Sequence, residues 1–117
     1  MSQILPPLNK FRLVAQTLAS GSNSVYTEEI DISTIILTST VANTSVDSQT
    51  YSLLVNKSGS ATPVSIINDM ILPSKETFTP IGGEGKVVLE KGDEVIFETD
   101  TGNVIDITLS ILENANN

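Results

Sequence analysis

The stretch Asn103–Glu113, with the sequence NVIDITLSILE, decides the fold, because its side chains alternate between apolar and polar. The apolar residues at positions 105, 107, 109 and 111 share one face of an extended strand, and the polar residues between them share the other. A strand with this two-residue period buries one face. We therefore expect Ile107 and Leu109 in a core and Thr108 outside it.

The same period recurs earlier in the chain, where β-branched residues, serine and threonine are abundant. These residue types favour strands over helices. Three further stretches are predicted as half-buried strands: Phe11, Leu13 and Ala15; Ile35, Leu37, Ser39 and Val41; and Tyr51, Leu53 and Val55. The only weak helix candidate, Ser65–Ile71, lies just before Pro73, and we predict a turn or a short 3₁₀ segment there.

Turn residues recur about every ten residues, which is typical of a sandwich or a small barrel. The runs Lys86–Glu90 and Glu94–Glu98 flank Lys91-Gly92-Asp93, so we predict a hairpin or near-hairpin that continues into the last strand as a meander. The fold class is therefore all-β, a single antiparallel β-sandwich, jelly-roll or Ig-like, of seven to eight short strands.

The first nine residues do not share this alternation, and they contain the pair Pro6-Pro7. Proline removes an amide donor and favours an extended backbone. We predict an extended N-terminal arm at residues 1–9 and the sandwich at residues 10–117. The arm is expected to bind a partner through five residues: Ile4, Leu5, Pro6, Pro7 and Leu8.

The composition excludes several classes of function. The chain of 117 residues contains no histidine or cysteine, which removes the commonest general base, the thiol nucleophile and the usual zinc ligands. Its 14 acidic and six basic residues give a net charge of −8, which disfavours nucleic-acid binding. The first residues lack the pattern of a signal peptide, and no window is apolar enough for a membrane helix. We expect no enzyme activity, no cofactor and no membrane partner.

Several motifs have weak functional interpretations. Five carboxylates offer oxygen ligands for calcium, but their spacing matches no calcium loop, so we predict a solvated acidic surface: Asp93, Glu94, Glu98, Asp100 and Asp106. The run Gly82–Lys86 leads into a predicted strand, whereas a phosphate-binding loop opens a helix. The sequons at Asn43 and Asn56 are attributed to chance in a chain rich in serine, threonine and asparagine.

A resemblance to a known family rests on pieces that come in order along the chain: Ser24–Thr27, Ile35–Thr38, Val41–Thr44, Tyr51–Val55, Ile71–Pro73, Val87–Val95 and Ile105–Glu113. In order and spacing, these pieces over residues 11–113 resemble the small β-sandwich virion structural proteins of tailed bacteriophages, of the cyanophage and marine phage type. The resemblance implies a location in the virion, assembled in the host cytoplasm, as capsid decoration or cement protein or as a head-neck or tail accessory.

Two functions follow as hypotheses. The first is a non-enzymatic virion structural protein, present in repeated copies as an oligomer or high-copy assembly and bound to other capsid or tail subunits. The alternative is a β-sandwich module that binds carbohydrate or a host surface. Tyr26 and Tyr51 are its candidate stacking residues, although two tyrosines in a chain poor in aromatic residues more often complete the edge of a core with the hydroxyl in water.

Overall fold

The computed structural model describes residues 8–28, 33–58, 60, 62–82 and 85–115. These residues form nine β-strands and no helix, which confirms the all-β prediction. The strands are β1 Leu8–Thr17, β2 Gly21–Thr27, β3 Ser33–Asn43, β4 Gln49–Asn56, β5 Val64–Leu72, β6 Thr77–Ile81, β7 Val87–Leu89, β8 Glu94–Thr99 and β9 Ile105–Ala115.

The strands form two antiparallel sheets. Sheet I has the order β1-β9-β3-β6, with β7 also paired to β3, and sheet II has the order β2-β8-β4-β5. The first strand therefore pairs with the last, the second with the one before it, and so on inward to β4 with β5. This nested pairing is that of an antiparallel ribbon rolled into a jelly roll, and it decides between the two predicted sandwich types.

Strands β6 and β7 share one position in sheet I. β6 pairs with the C-terminal half of β3 and β7 with its N-terminal half. The nine strands therefore occupy eight positions, as in a jelly roll, where the sequence predicted seven to eight strands.

The last strand carries the centre of the core, as its alternation predicts. Ile107 and Leu109 are buried, whereas Thr108 lies on the outer face and its hydroxyl meets that of Thr40. β9 lies between β1 and β3 in sheet I, so one of its faces is covered by sheet II. The other fully buried large side chains are Tyr51, Phe97, Leu18, Ile36, Leu53, Leu89, Ile105, Ile111, Val41 and Val95.

The predicted face of β1 is wrong. Phe11, Leu13 and Ala15 lie on the outer side of sheet I, and Val14 packs against the core instead. A two-residue period identifies two faces but does not say which of them is turned inward. In β1 the more apolar face is the exposed one.

Strand β3 does not keep one inward face along its length. Ile36 is buried before a bulge at Leu37, and Ser39 and Val41 are buried after it. A bulge adds one residue to one strand of a pair and so reverses the alternation beyond it. The predicted face of residues 35–41 is therefore correct only from Ser39 onward.

The segment predicted as a turn at Ser65–Ile71 lies within strand β5. Asn68 and Asp69 form a bulge there, because Met70 pairs with Tyr51 and Ile67 pairs with Leu53. Asp69 has φ 48°, and its amide donates to the Ser52 hydroxyl (2.9 Å). The polar pair thus bends the strand without ending it.

The predicted hairpin and meander near the C-terminus are also wrong. β7 belongs to sheet I, β8 to sheet II and β9 to sheet I again, so each connection crosses from one sheet to the other. The turn residue Gly92 does adopt a positive φ of 84°, as glycine at a turn permits.

Candidate functional site

The predicted arm lies almost wholly outside the described residues. Ile4, Leu5, Pro6 and Pro7 are not among them, so partner binding by these residues stays a prediction. Leu8 is described and begins strand β1 opposite Ala115. The strand therefore starts within the predicted arm at residues 1–9, and a deletion that spares β1 must end at residue 7.

A row of apolar side chains crosses the whole outer face of sheet I. Phe11 of β1 lies opposite Leu112 of β9, Leu112 lies opposite Ile35 of β3, and Ile35 lies opposite Val88 of β7. Residues directly opposite each other in antiparallel strands point to the same face. We call these four residues the outer row.

Much of the outer row and its neighbour Leu13 is exposed. Phe11, Leu13 and Val88 keep 73%, 64% and 62% of their surface open. The two-residue period of apolar residues along β1 does identify this surface, but the sequence pattern is also that of a face buried in the core. A continuous exposed apolar row makes this face the candidate interaction surface of the domain.

One of the five predicted surface carboxylates, Asp93, is buried. Its Oδ1 accepts from the amide of Ser58 (3.0 Å), and its Oδ2 accepts from the amide of Glu90 (2.8 Å) and from Lys57 Nζ (2.7 Å). Burial by itself raises the pKa of Asp93, but the hydrogen bonds from Lys57 and the two amides outweigh it and hold the pKa below its usual value. Asp93 therefore ties the β7–β8 turn to the end of β4.

The other acidic residues are dispersed. Glu98 accepts from the Ser22 hydroxyl (2.6 Å), and Asp106 accepts from the Thr17 hydroxyl (2.6 Å). Within the part of the chain that the structure describes, no three carboxylates are grouped so that they would hold a metal ion. The acidic residues thus act in separate structural contacts.

A buried polar network joins the two sheets near the start of β1. The Tyr26 hydroxyl donates to Glu113 Oε2 (2.6 Å), and Arg12 donates to the same oxygen (3.0 Å). The Thr34 hydroxyl donates to Glu28 Oε1 (2.7 Å), and Glu28 is buried. Burial, and next the hydrogen bond to Glu113, raise the pKa of Tyr26. Tyr26 thus joins sheet II to sheet I, and Arg12 adds a contact between β1 and β9.

The two tyrosines offered for sugar stacking have no free ring face. Tyr51 is 1% exposed and Tyr26 is 9% exposed. Burial raises the pKa of Tyr51 to about 12. A shallow cavity of about 280 Å³ lies beside Tyr51, but the residues that line it are mainly small and polar, among them Ser22, Ser52 and Asp69. A sugar ring would find no exposed aromatic surface in this cavity.

Two remaining motifs are structural. Asn43 is buried, and its amide donates to the carbonyl oxygens of Asp47 (2.8 Å) and Leu72 (3.0 Å), so this sequon has no free amide for a glycan. Gly85 donates to the Gly82 carbonyl (3.0 Å) in a turn that leads directly into strand β7. This turn is no phosphate-binding loop, because no helix follows it. In the described residues no helix is long and apolar enough to cross a membrane.

The fold and the exposed row together define a small jelly-roll domain with an apolar outer face. No family model matches the chain, and no curated protein matches it. Among solved structures, the chain is similar to a protein of Bacillus endospore appendages, a family of disulfide-linked pili, at 12% identity over 97% of this chain and 95% of that chain, with a TM-score of 0.52. That likeness shows a shared fold. The present chain has no cysteine and so no disulfide of its own.

Two viral structures show weaker likeness, with lower TM-scores. The virus-like particle of the extra small virus of the giant freshwater prawn Macrobrachium rosenbergii matches at 10% identity, over 97% of this chain and 82% of that chain, with a TM-score of 0.45. Infectious bursal disease virus, strain Gx, matches at 10% identity, over 90% of this chain and 40% of that chain, with a TM-score of 0.37.

Proposed function

We propose that this protein is a non-enzymatic structural subunit of a virion, present in repeated copies and bound to other particle subunits. The observation that carries the proposal is the exposed apolar surface made by the outer row and Leu13. The chain has 14 acidic and six basic residues, yet the outer row and Leu13 contain none of them. Contact with another subunit would bury them.

The fold supports the same function. The similar appendage protein belongs to pili, so a jelly roll of this shape is compatible with an assembly of many copies. Jelly rolls are also common in viral capsids. The finer assignment, to capsid decoration or cement or to a head-neck or tail accessory of a tailed phage, rests on the resemblance of the sequence alone.

We propose further that the predicted arm, residues 1–9, binds a neighbouring subunit, with residues 1–7 as the part that precedes strand β1. Ile4 and Leu5 supply apolar side chains, and Pro6-Pro7 keep the backbone extended between them and β1. A segment of this kind would add contact area to the folded domain through main-chain hydrogen bonds and apolar side chains.

The test is a co-sedimentation assay with particles that lack this protein. Full-length protein should bind the particles, and a deletion of residues 1–7 should bind much less while its melting temperature stays nearly the same. The variant Ile4→Ser/Leu5→Ser keeps the length of the arm and should bind as weakly as the deletion. Equal occupancy by all three proteins would rule out the arm, and no binding by the full-length protein would rule out the virion role.

A further inference from the structure

We infer that two copies of this chain pack against each other through the outer faces of their sheets I, about a two-fold axis parallel to the strands. The inference rests on the proposed function in that it names a second copy as one of the partners. It starts from the outer row and from a second row beside it.

The second row runs across the same face one step further along the strands. Leu13 of β1 lies opposite Ser110 of β9, and Ser110 lies opposite Thr38 of β3. Gly82 comes next, because a side chain built on it would touch the Thr38 hydroxyl at 3.4 Å. In both rows the largest side chain is at the β1 side and the smallest at the β6–β7 side.

This gradient of size makes the face complementary to itself. A two-fold axis parallel to the strands, passing between β9 and β3, would lay Phe11 over Val88 of the second copy and Leu112 over its Ile35. The same operation lays Leu13 over Gly82 of the second copy, which has no side chain of its own to meet it. Such an isologous contact pairs the largest side chain of each row with the smallest, and the two middle residues of the outer row, which are similar in size, with each other. An axis along the row would instead stack Phe11 on itself.

Charge favours the same face. Two copies, each with a net charge of −8, repel one another unless the surfaces that meet are neutral. Neither row contains an ionisable side chain; Asp106 lies two rows beyond Leu13 on this face, and Lys86 and Glu90 lie two residues to either side of Val88. The outer face near Phe11 is thus a place where two copies can approach without bringing carboxylates together.

The available area sets the strength of the contact. Phe11, Leu13 and Val88, exposed to 73%, 64% and 62%, present about 350 Å² of apolar surface, at roughly 150–200 Å² for a whole side chain of this kind. A stable complex buries about 800 Å² on each partner. The face-to-face dimer is therefore weak in solution. Its contact contributes more in an assembly, where further contacts already hold the two copies close together.

The first experiment is sedimentation velocity on the full chain over a concentration series. Wild-type protein should show reversible dimerisation, and Phe11→Ser should raise the dissociation constant at least about tenfold. The matched control is Val46→Ser, which removes an equally exposed apolar side chain in the loop between β3 and β4 and should leave the constant unchanged. A deletion of residues 1–7 should still dimerise. A monomer at all concentrations would overturn the inference. Loss of the dimer on deletion of residues 1–7 would also overturn it, because the arm of the second copy would then be what covers the outer row.

The second experiment fixes the geometry and uses the absence of native cysteine. Stacked sheets lie about 10 Å apart, beyond the reach of a disulfide, so a bis-maleimide of about that length is needed. A mixture of the Phe11→Cys and Val88→Cys proteins should cross-link efficiently. Each protein alone should not cross-link. Position 11 of one copy lies over position 88 of the other, so the two cysteines of a single variant are three strand spacings apart, roughly 14 Å across the sheet. Efficient cross-linking of Phe11→Cys alone would contradict the stated axis.

The particle assay separates this inference from the proposed function. If wild-type protein enters particles but never dimerises, the face-to-face contact is wrong and the structural role survives. If it dimerises through the outer row but does not enter particles, the dimer is correct and the virion role is wrong.

Discussion

Replacement of Asp93 by asparagine should destabilise the protein far more than its position in an exposed turn suggests. The carboxylate is 1% exposed and accepts from the amides of Ser58 and Glu90 and from Lys57 Nζ. Asparagine has the same shape, but only one of its two terminal atoms accepts a hydrogen bond. One backbone amide would therefore face another donor in a buried site.

The magnitude follows from these contacts. A hydrogen bond to a charged acceptor contributes about 1.5–3 kcal/mol, and an unsatisfied buried donor costs about 1–3 kcal/mol. Lys57 is about half exposed, so solvent screens its ion pair with Asp93 and the two backbone amides carry most of the effect. We expect Asp93→Asn to lower the free energy of unfolding by about 3 kcal/mol at neutral pH. For a domain of this size the melting temperature should fall by about 12 °C.

The assay is urea unfolding of wild type and variant at a series of pH values. The folded-state pKa of Asp93 lies below the unfolded value of about 3.9, so its contribution is complete above that value and is lost as the pH falls through the folded pKa. The gap between the two proteins should therefore narrow below about pH 4. Glu90→Gln, which removes the exposed partner of Lys57, is the matched control and should cost less than about 0.5 kcal/mol. A loss below about 1 kcal/mol at pH 7, or a gap that stays constant in acid, would refute the reasoning.

Three other predictions concern the core, a turn and the acidic surface. Ile107→Asp should unfold the domain, because a lone carboxylate cannot be buried there, whereas the Thr108→Asp protein should stay folded. Equal losses of melting temperature in the two variants, measured by circular dichroism, would show that the inward face of β9 is wrongly identified. Gly92→Ala should lower the free energy of unfolding by about 1–3 kcal/mol, because φ is 84° and the new Cβ would lie 2.8 Å from Ser58 Cβ. The control Gly85→Ala makes only ordinary contacts and should leave the free energy of unfolding nearly unchanged in the same denaturant assay. EDTA should leave the melting temperature unchanged, and a rise of several degrees with calcium would reveal a site that the carboxylates form.

Local patterns predict strands well here, because a strand requires only alternation and β-branched residues. Strand β9 was predicted with its inward face because its apolar side is unbroken from Ile105 to Ile111 and the residues between, at positions 106, 108 and 110, are polar. The positive φ at Gly92 followed from turn chemistry in the same way. These features depend on neighbours in sequence.

Features that depend on neighbours in space could not be predicted. The bulge at Leu37 exists because β3 must pair with β9 on one side and with β6 and β7 on the other, and nothing in residues 33–43 announces it. The turn after β7 has the residues of a hairpin, yet β7 and β8 join different sheets. Which sheet a strand joins depends on the pairing of all the other strands.

Strand β1 shows why a surface that binds a partner resembles a core in sequence. A slip of one residue against β9 would turn Phe11 and Leu13 inward, and their roughly 250 Å² of exposed surface represents at most about 6 kcal/mol of burial. The observed register gives up this burial and keeps the bond of Arg12 to Glu113 (3.0 Å) and that of Thr17 to Asp106 (2.6 Å). Those contacts are near the surface and each contributes about 1 kcal/mol or less, so they do not by themselves outweigh the slip. The inward side of β1 carries Arg12, whose bond to Glu113 joins β1 to the Tyr26 network. The observed register leaves the apolar face of β1 outside, so its burial becomes available when a second copy covers it.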